Sequence, residues 1–169
     1  LRIAMAKKPA AKSSVATAPA KLSDKDKKTL GSLREMAGGV AAFADRSRAP
    51  HLEVPSRSLS NVRFNQSKKI IEMGSGTNRR ELFNLSQAKA YMQTLLVGSG
   101  AKRLIEQGKT TSLRGLYYML KHTIEGTKEE TFDEQGESDS MIEDVEVVLN
   151  AMREELHLFA ARKGSMVGP

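Results

Sequence analysis

Between Asp139 and Glu155, the residues Met141, Ile142, Val145, Val148, Leu149 and Met152 recur at helical spacing, with acids on the opposite side. A helix divided in this way is stable only when its apolar stripe is covered, so the chain must supply further elements to pack on it. Ser23–Phe43 carries Leu30, Leu33, Met36, Ala37 and Val40 near the same spacing, with Gly38–Gly39 weakening its end. Ser86 is placed to cap a helix through Ala90, Tyr91, Leu95, Leu96 and Val97. Gly98–Ser99–Gly100 is expected to interrupt that helix, leaving Ala101–Gln107 as a short further piece ending at Gly108. Thr111 or Ser112 can cap the next helix, Leu113–His122.

The β signal is small. Val62 with Phe64, and Ile70, Ile71 with Met73, form two short strand-like runs, with Gly74–Ser75–Gly76 as a turn. Arg46–Ser58 holds two prolines and reads as a linker. Leu156–Ala160 is strand-like and is followed by a turn at Arg162–Gly164 into Ser165–Val167. The expected fold class is therefore mainly α with small β. Helices followed by a terminal β-hairpin suit a winged helix, the helix-turn-helix variant with a β-wing. The Lys/Ala/Pro/Ser mixture at residues 1–28 reads as a disordered basic tail. Residues 29–58 read as a helix and linker, and 59–169 as the winged-helix domain.

Composition removes several function classes. The 169 residues include no cysteine, so there is no thiol nucleophile, disulfide framework or cysteine-built zinc site. His51, His122 and His157 show no metal-ligand spacing. No apolar run approaches the ~18 residues of a spanning helix, and no secretory signal pattern opens the chain. An intracellular setting is expected, cytoplasm or nucleoid, or nucleus in a eukaryote.

The net charge of +7 is unevenly distributed. Residues 1–28 carry +6, residues 29–124 carry +9, residues 125–155 carry −10 and residues 156–169 carry +2. The basic body suits a polyanion such as nucleic acid. The acids of 125–146 lack the order of a calcium-binding loop and read as a solvated loop and helix face. Gly74–Ser75–Gly76 lacks the Gly-Lys-Ser/Thr ending of a phosphate loop.

The segment Thr110–His122 carries the most chemistry. On a helix, Leu113, Leu116, Tyr117 and Leu120 share one face, and Tyr117 packs with them. Tyr118 lies about 100° further round. Its neighbours by spacing are Arg114, Lys121 and His122. One tyrosine is thus expected in the core and the other among cations. Positive charge beside a phenol favours its anion and holds a phosphate against it. A phosphodiester attacked there would become a phosphotyrosine bond. Nothing marks His157 as a base.

This tyrosine segment resembles the catalytic motif in the A subunits of DNA topoisomerase VI, a type IIB topoisomerase, and in their meiotic double-strand-break relatives. The likeness continues through Pro55–Val62, Gln87–Lys89, Leu95–Val97, Phe132–Gln135, Asp139, Ile142–Glu146, Arg153–His157 and Lys163–Gly168, and covers about residues 52–169. The resemblance implies a winged-helix domain in which Tyr118 attacks DNA and Arg114 holds the scissile phosphate; Lys121, on the same face by helical spacing, is expected to add a phosphate contact. It also implies 5′-phosphotyrosyl links, passage of a second duplex and religation. The implied partners are duplex DNA, a second copy of the A chain and the ATP-hydrolysing topoisomerase VI B chain, joined in an A2B2 heterotetramer. Ser23–Phe43 is then a docking segment for the B chain. In the family, Mg²⁺ is held by a downstream Toprim domain, so this chain alone is expected to be inactive as a truncated subunit. Gly115 stands where family members commonly carry an acid. The alternative from another class is a winged-helix DNA-binding protein without catalysis.

Overall fold

The computed structural model describes residues 22–46 and 48–161. Most of the expected tail (1–21) and the second strand of the terminal hairpin (165–167) lie outside them. Among the described residues, four helices carry the fold: α1 (Asp24–Asp45), α2 (Leu85–Gln107), α3 (Leu113–Leu120) and α4 (Gln135–Leu149). The strands are β1 (His51–Pro55), β2 (Val62–Asn65), β3 (Ile70–Met73), β4 (Thr77–Glu81), β5 (Thr111–Ser112) and β6 (Leu158–Phe159). They form three separate pairs: β1 with β4 and β2 with β3 antiparallel, and β5 with β6 parallel. The architecture is mainly α with small β. No helix among the described residues is long and apolar enough to cross a membrane.

Helix α1 begins with a reciprocal cap. The Asp26 backbone N–H donates to Ser23 Oγ (3.1 Å) and the Ser23 N–H to Asp26 Oδ2 (2.9 Å). Helix α2 starts one residue before Ser86, because Asn84 is the cap and accepts from the Ser86 N–H (3.1 Å). The expected break at Gly98–Ser99–Gly100 does not occur, and α2 runs unbroken to Gln107. A Cβ at Gly98 would lie 3.0 Å from Met36 Cε, and one at Gly100 would lie 3.0 Å from Leu116 Cδ1 and 3.2 Å from Leu120 Cδ2. These glycines mark where α1 and α3 press on α2. Close approach offsets the roughly 1 kcal/mol that each costs relative to alanine in a helix.

One core joins the helices. Leu30 and Leu33 of α1 meet Val97, Ala101, Leu104 and Ile105 of α2, with Leu116, Tyr117 and Leu120 of α3. Helix α4 adds Met141, Ile142, Val145 and Leu149, and Phe132, Leu156 and Leu158 close the cluster. Helix α4 ends earlier than its apolar pattern suggested. Asn150 takes the left-handed conformation (φ 48°), which asparagine tolerates, and ends the helix. The chain continues as a 3₁₀ turn at Arg153–Leu156, and Met152 is exposed rather than in the stripe.

The expected linker contains a strand. Leu52 and Val54 of β1 are buried, and β1 pairs from His51↔Glu81 to Pro55↔Thr77 across the boundary expected at residue 58. Asn61 ties the two antiparallel pairs together. Its side-chain amide donates to the carbonyls of Ser56 (2.7 Å) and Gly76 (3.1 Å), and its Oδ1 accepts from the Gly76 N–H (2.9 Å). A side chain at Gly74 or Gly76 would collide with that amide. Gly74–Ser75–Gly76 therefore connects β3 to β4 around Asn61. The strand expected over Leu156–Ala160 begins two residues later, at Leu158, and β6 pairs with β5 at the start of α3.

The acidic segment is only partly a solvated face: Glu125, Glu129 and Glu134 are exposed, whereas others are drawn into ion pairs. Asp144 is buried and accepts from Arg57 (2.8 Å) and Arg80, whose other nitrogen donates to Thr94 Oγ1 (2.7 Å). Glu143 also pairs with Arg57, Lys89 with Asp133 and Glu137, Lys121 with Glu130, and Arg153 with Glu146 through two nitrogens. Much of the negative block thus lies against the positive one. The hydrogen-bonded pair Arg57 and Glu143 is 86 residues apart in the chain.

Candidate active site

Both ends of helix α3 are fixed. At its start, Ser112 Oγ accepts from the Gly115 N–H (2.9 Å), while the Thr111 N–H donates to the carbonyl of His157 (3.1 Å). A Cβ at Gly115 would overlap the Thr111 hydroxyl and lie 3.2 Å from Ser112 Oγ. The glycine thereby gives the two hydroxyl side chains room to fold over the first turn. At the other end, Thr131 Oγ1 donates to the carbonyl of Leu120 (2.8 Å) and accepts from the His122 N–H (3.1 Å). The Thr131 N–H donates to the carbonyl of His122 (2.9 Å).

This short rod separates the adjacent tyrosines. Leu116, Tyr117 and Leu120 face the core, and Tyr117 is 8% exposed. Its hydroxyl donates to the Asp133 carbonyl (3.2 Å) and accepts from Lys121 Nζ (3.0 Å). Tyr118 is 62% exposed. Its ring centroid lies 5.1 Å from that of Tyr117, tilted by 57°, and Arg114 Cζ lies 6.0 Å from the Tyr118 centroid. Helical side chains lean toward the N-terminus, which directs Tyr118 back toward Arg114. The structure brings those two residues together.

Lys121 departs from the expected face. It lies 5.4 Å from the Tyr117 ring centroid and pairs with Glu130 (2.6 Å), while its ammonium also donates to the Asp133 carbonyl (3.3 Å). The Glu130 carboxylate, and then the Tyr117 hydroxyl, raise its pKa. The reason is backbone geometry: α3 ends at Leu120, and Lys121 is extended (φ −71°, ψ 118°), so helical spacing no longer directs its side chain. The His122 ring turns onto its own helix end, where Nδ1–H donates to the carbonyl of Leu120 (2.8 Å).

His157 is a left-handed residue (φ 61°). Its Nε2 lies 3.0 Å from Asp26 Oδ1 and its Nδ1 lies 2.9 Å from the Lys109 carbonyl, so it ties α1 to the chain beside α3.

Three supports of this helix, Glu130, Thr131 and Asp133, go unmarked by local spacing. One signal points to them: Phe132, the lone aromatic in an acidic stretch, is fully buried and anchors its neighbours. The acids do not suit Mg²⁺. Among the described residues no group of three or more His, Cys, Asp or Glu side chains could hold a metal ion, and most acids of the block are ion-paired.

Comparison with known proteins gives this geometry a context. Residues 89–158, from the first turns of α2 to β6, match the family model described as type IIB DNA topoisomerase. The chain belongs to that family. Within it, the chain is similar to the A subunit of type 2 DNA topoisomerase 6 from Pyrococcus horikoshii, at 40% identity over 148 residues, 88% of this chain and 39% of that protein. The Pyrococcus abyssi counterpart gives the same values, and that of Aeropyrum pernix is 38% identical over 130 residues, 73% of this chain and 33% of that protein. The chain thus spans about two fifths of the length of its Pyrococcus relatives.

Proposed function

We propose that this chain is the DNA-cleaving portion of a type IIB topoisomerase A subunit, a winged-helix segment in which Tyr118 is the nucleophile. The Tyr118 oxygen attacks a backbone phosphorus and forms an O–P bond. The bond from phosphorus to the 3′ oxygen breaks, leaving a 5′-phosphotyrosyl end and a free 3′-hydroxyl. The phenolic proton is released and the departing oxygen takes one up, so no net proton is consumed. Because one phosphoester replaces another, the reverse attack reseals the strand. The Arg114 guanidinium holds the scissile phosphate through charge-assisted hydrogen bonds. Lys121, engaged by Tyr117 and Glu130, positions α3 rather than contacting phosphate. The described residues of this chain do not fit Mg²⁺.

In this reading two copies of the A chain act on opposite strands, a second duplex passes through the break, and the B chain supplies ATP hydrolysis in an A2B2 assembly. The observation that carries it is the exposed Tyr118 hydroxyl-bearing ring beside Arg114, next to a twin that is 8% exposed. The test is denaturing electrophoresis of full-length protein with its B partner on labelled duplex. Tyr118→Phe is expected to abolish the covalent adduct while salt-sensitive DNA binding persists, and Tyr117→Phe is expected to retain adducts. Adducts that survive Tyr118→Phe would move the nucleophile elsewhere. Binding without adducts in the active wild-type assembly would leave a DNA-binding protein.

A further inference from the structure

The β2–β3 hairpin has features that the tyrosine site does not use. Its register, Val62↔Met73 and Phe64↔Ile71, places these four apolar residues on one face. Phe64 is 62% exposed and Ile71 is 72% exposed. A two-stranded hairpin is marginal in water by itself, and such a face calls for a covering. Yet this hairpin is built at both ends. Asn61 holds the base. At the tip, Asn65 Oδ1 accepts from the N–H groups of Ser67 and Lys68 (3.1 Å each) and from Ser67 Oγ (2.6 Å), while Lys69 turns the chain at φ 53°.

Its charge points to the covering. Residues 62–73 hold three cations, Arg63, Lys68 and Lys69, and a single acid, Glu72, and so carry +2. Glu72 pairs with Lys68 (3.0 Å), and among the described residues Arg63 and Lys69 have no salt bridge. A two-stranded ribbon fits the major groove of duplex DNA, apolar side chains make favourable contacts with base edges, and flanking cations neutralise phosphates.

We infer that β2–β3 is a DNA-contacting ribbon, with Phe64 and Ile71 against the edges of a groove and Arg63 and Lys69 at the bordering phosphates. The inference rests on the reading that this chain acts on duplex DNA. It is tested by fluorescence anisotropy of full-length protein on a labelled 30-base-pair duplex across a potassium chloride series, with sedimentation of the same samples. Phe64→Ala with Ile71→Ala is expected to weaken binding by about tenfold, on the scale of a buried aromatic contact. Arg63→Gln with Lys69→Asn, which suits the left-handed turn, is expected to flatten the slope of log affinity against log salt by about 1.8. Unchanged circular dichroism melts establish that these variants fold.

Wild-type affinity and slope in both folded variants would overturn the ribbon and leave the DNA reading intact. A wild-type protein that does not bind duplex would overturn both. Altered sedimentation with unchanged DNA binding would assign the apolar face to a protein contact and overturn the ribbon.

Discussion

The two flanks of α3 differ more than their sequences suggest. On one, Tyr117 meets the Asp133 carbonyl and Lys121, which is itself paired with Glu130, and its hydroxyl is partnered on both sides. On the other, Tyr118 stands open with Arg114 beside its ring. A step of about 100° round a helix separates a residue that holds the fold from one that can meet a substrate. The enclosed flank makes the open one useful, because a short helix holds a side chain in place only when its other side is locked.

The sharpest way to break this comparison is to truncate each tyrosine. Tyr117→Ala is expected to cost about 2–5 kcal/mol and Tyr118→Ala under about 0.5 kcal/mol, read from urea unfolding midpoints. Equal losses would remove the distinction between the flanks. Cutting the lock without touching the core is gentler. Glu130→Gln is expected to cost about 1 kcal/mol or less, because the pair is partly exposed. In the active assembly it should lower adduct yield several-fold at saturating DNA with duplex affinity unchanged. An equal drop in affinity would make it a binding residue instead.

The glycines extend the same contrast to α2 and α1. Gly100→Ala pushes a methyl toward Leu116 and Leu120 and should lower stability by about 1 kcal/mol after its helix-propensity gain. Gly31→Ala meets nothing within 4 Å and should raise it by about 0.5–1 kcal/mol. Thermal melts with the same sign for both would count against the close approach at Gly100.

A pH-dependent effect concerns the tie from α1 to the chain beside α3. His157 first, then the Ser23 backbone, hold the Asp26 carboxyl below its ordinary 3.8. A depressed carboxyl stabilises the fold fully above its unfolded value, and that contribution is lost as pH falls through the folded one. Asp26→Asn should therefore cost about 1 kcal/mol near neutrality, with the gap from wild type closing as pH falls below the ordinary 3.8. A gap that stays constant across that range would show the carboxylate charge to be irrelevant.

What could be read from the chain, and what could not, follows from the range of the interactions. The stripes of α1, α3 and α4 were legible because apolar spacing is a local signal, and so was the separation of Tyr117 from Tyr118. Lys121 was misplaced because the helix stops one residue before it. Strand β4, Thr-Asn-Arg-Arg-Glu, has no apolar alternation and is defined only by its pairing with β1. Gly98 and Gly100 read locally as a break, whereas their meaning lies in α1 and α3. The pairing of Arg57 and Arg80 with Asp144 spans 87 and 64 residues. No local pattern reveals a contact of that range.

The most direct test of Tyr118 as the nucleophile is to locate the nucleotide. Full-length protein with its B partner is trapped on duplex DNA, trimmed with nuclease, digested and sequenced by mass spectrometry. A phosphonucleotide on Tyr118 is the expected result. A nucleotide on Tyr117, or on any residue outside α3, would contradict the assignment.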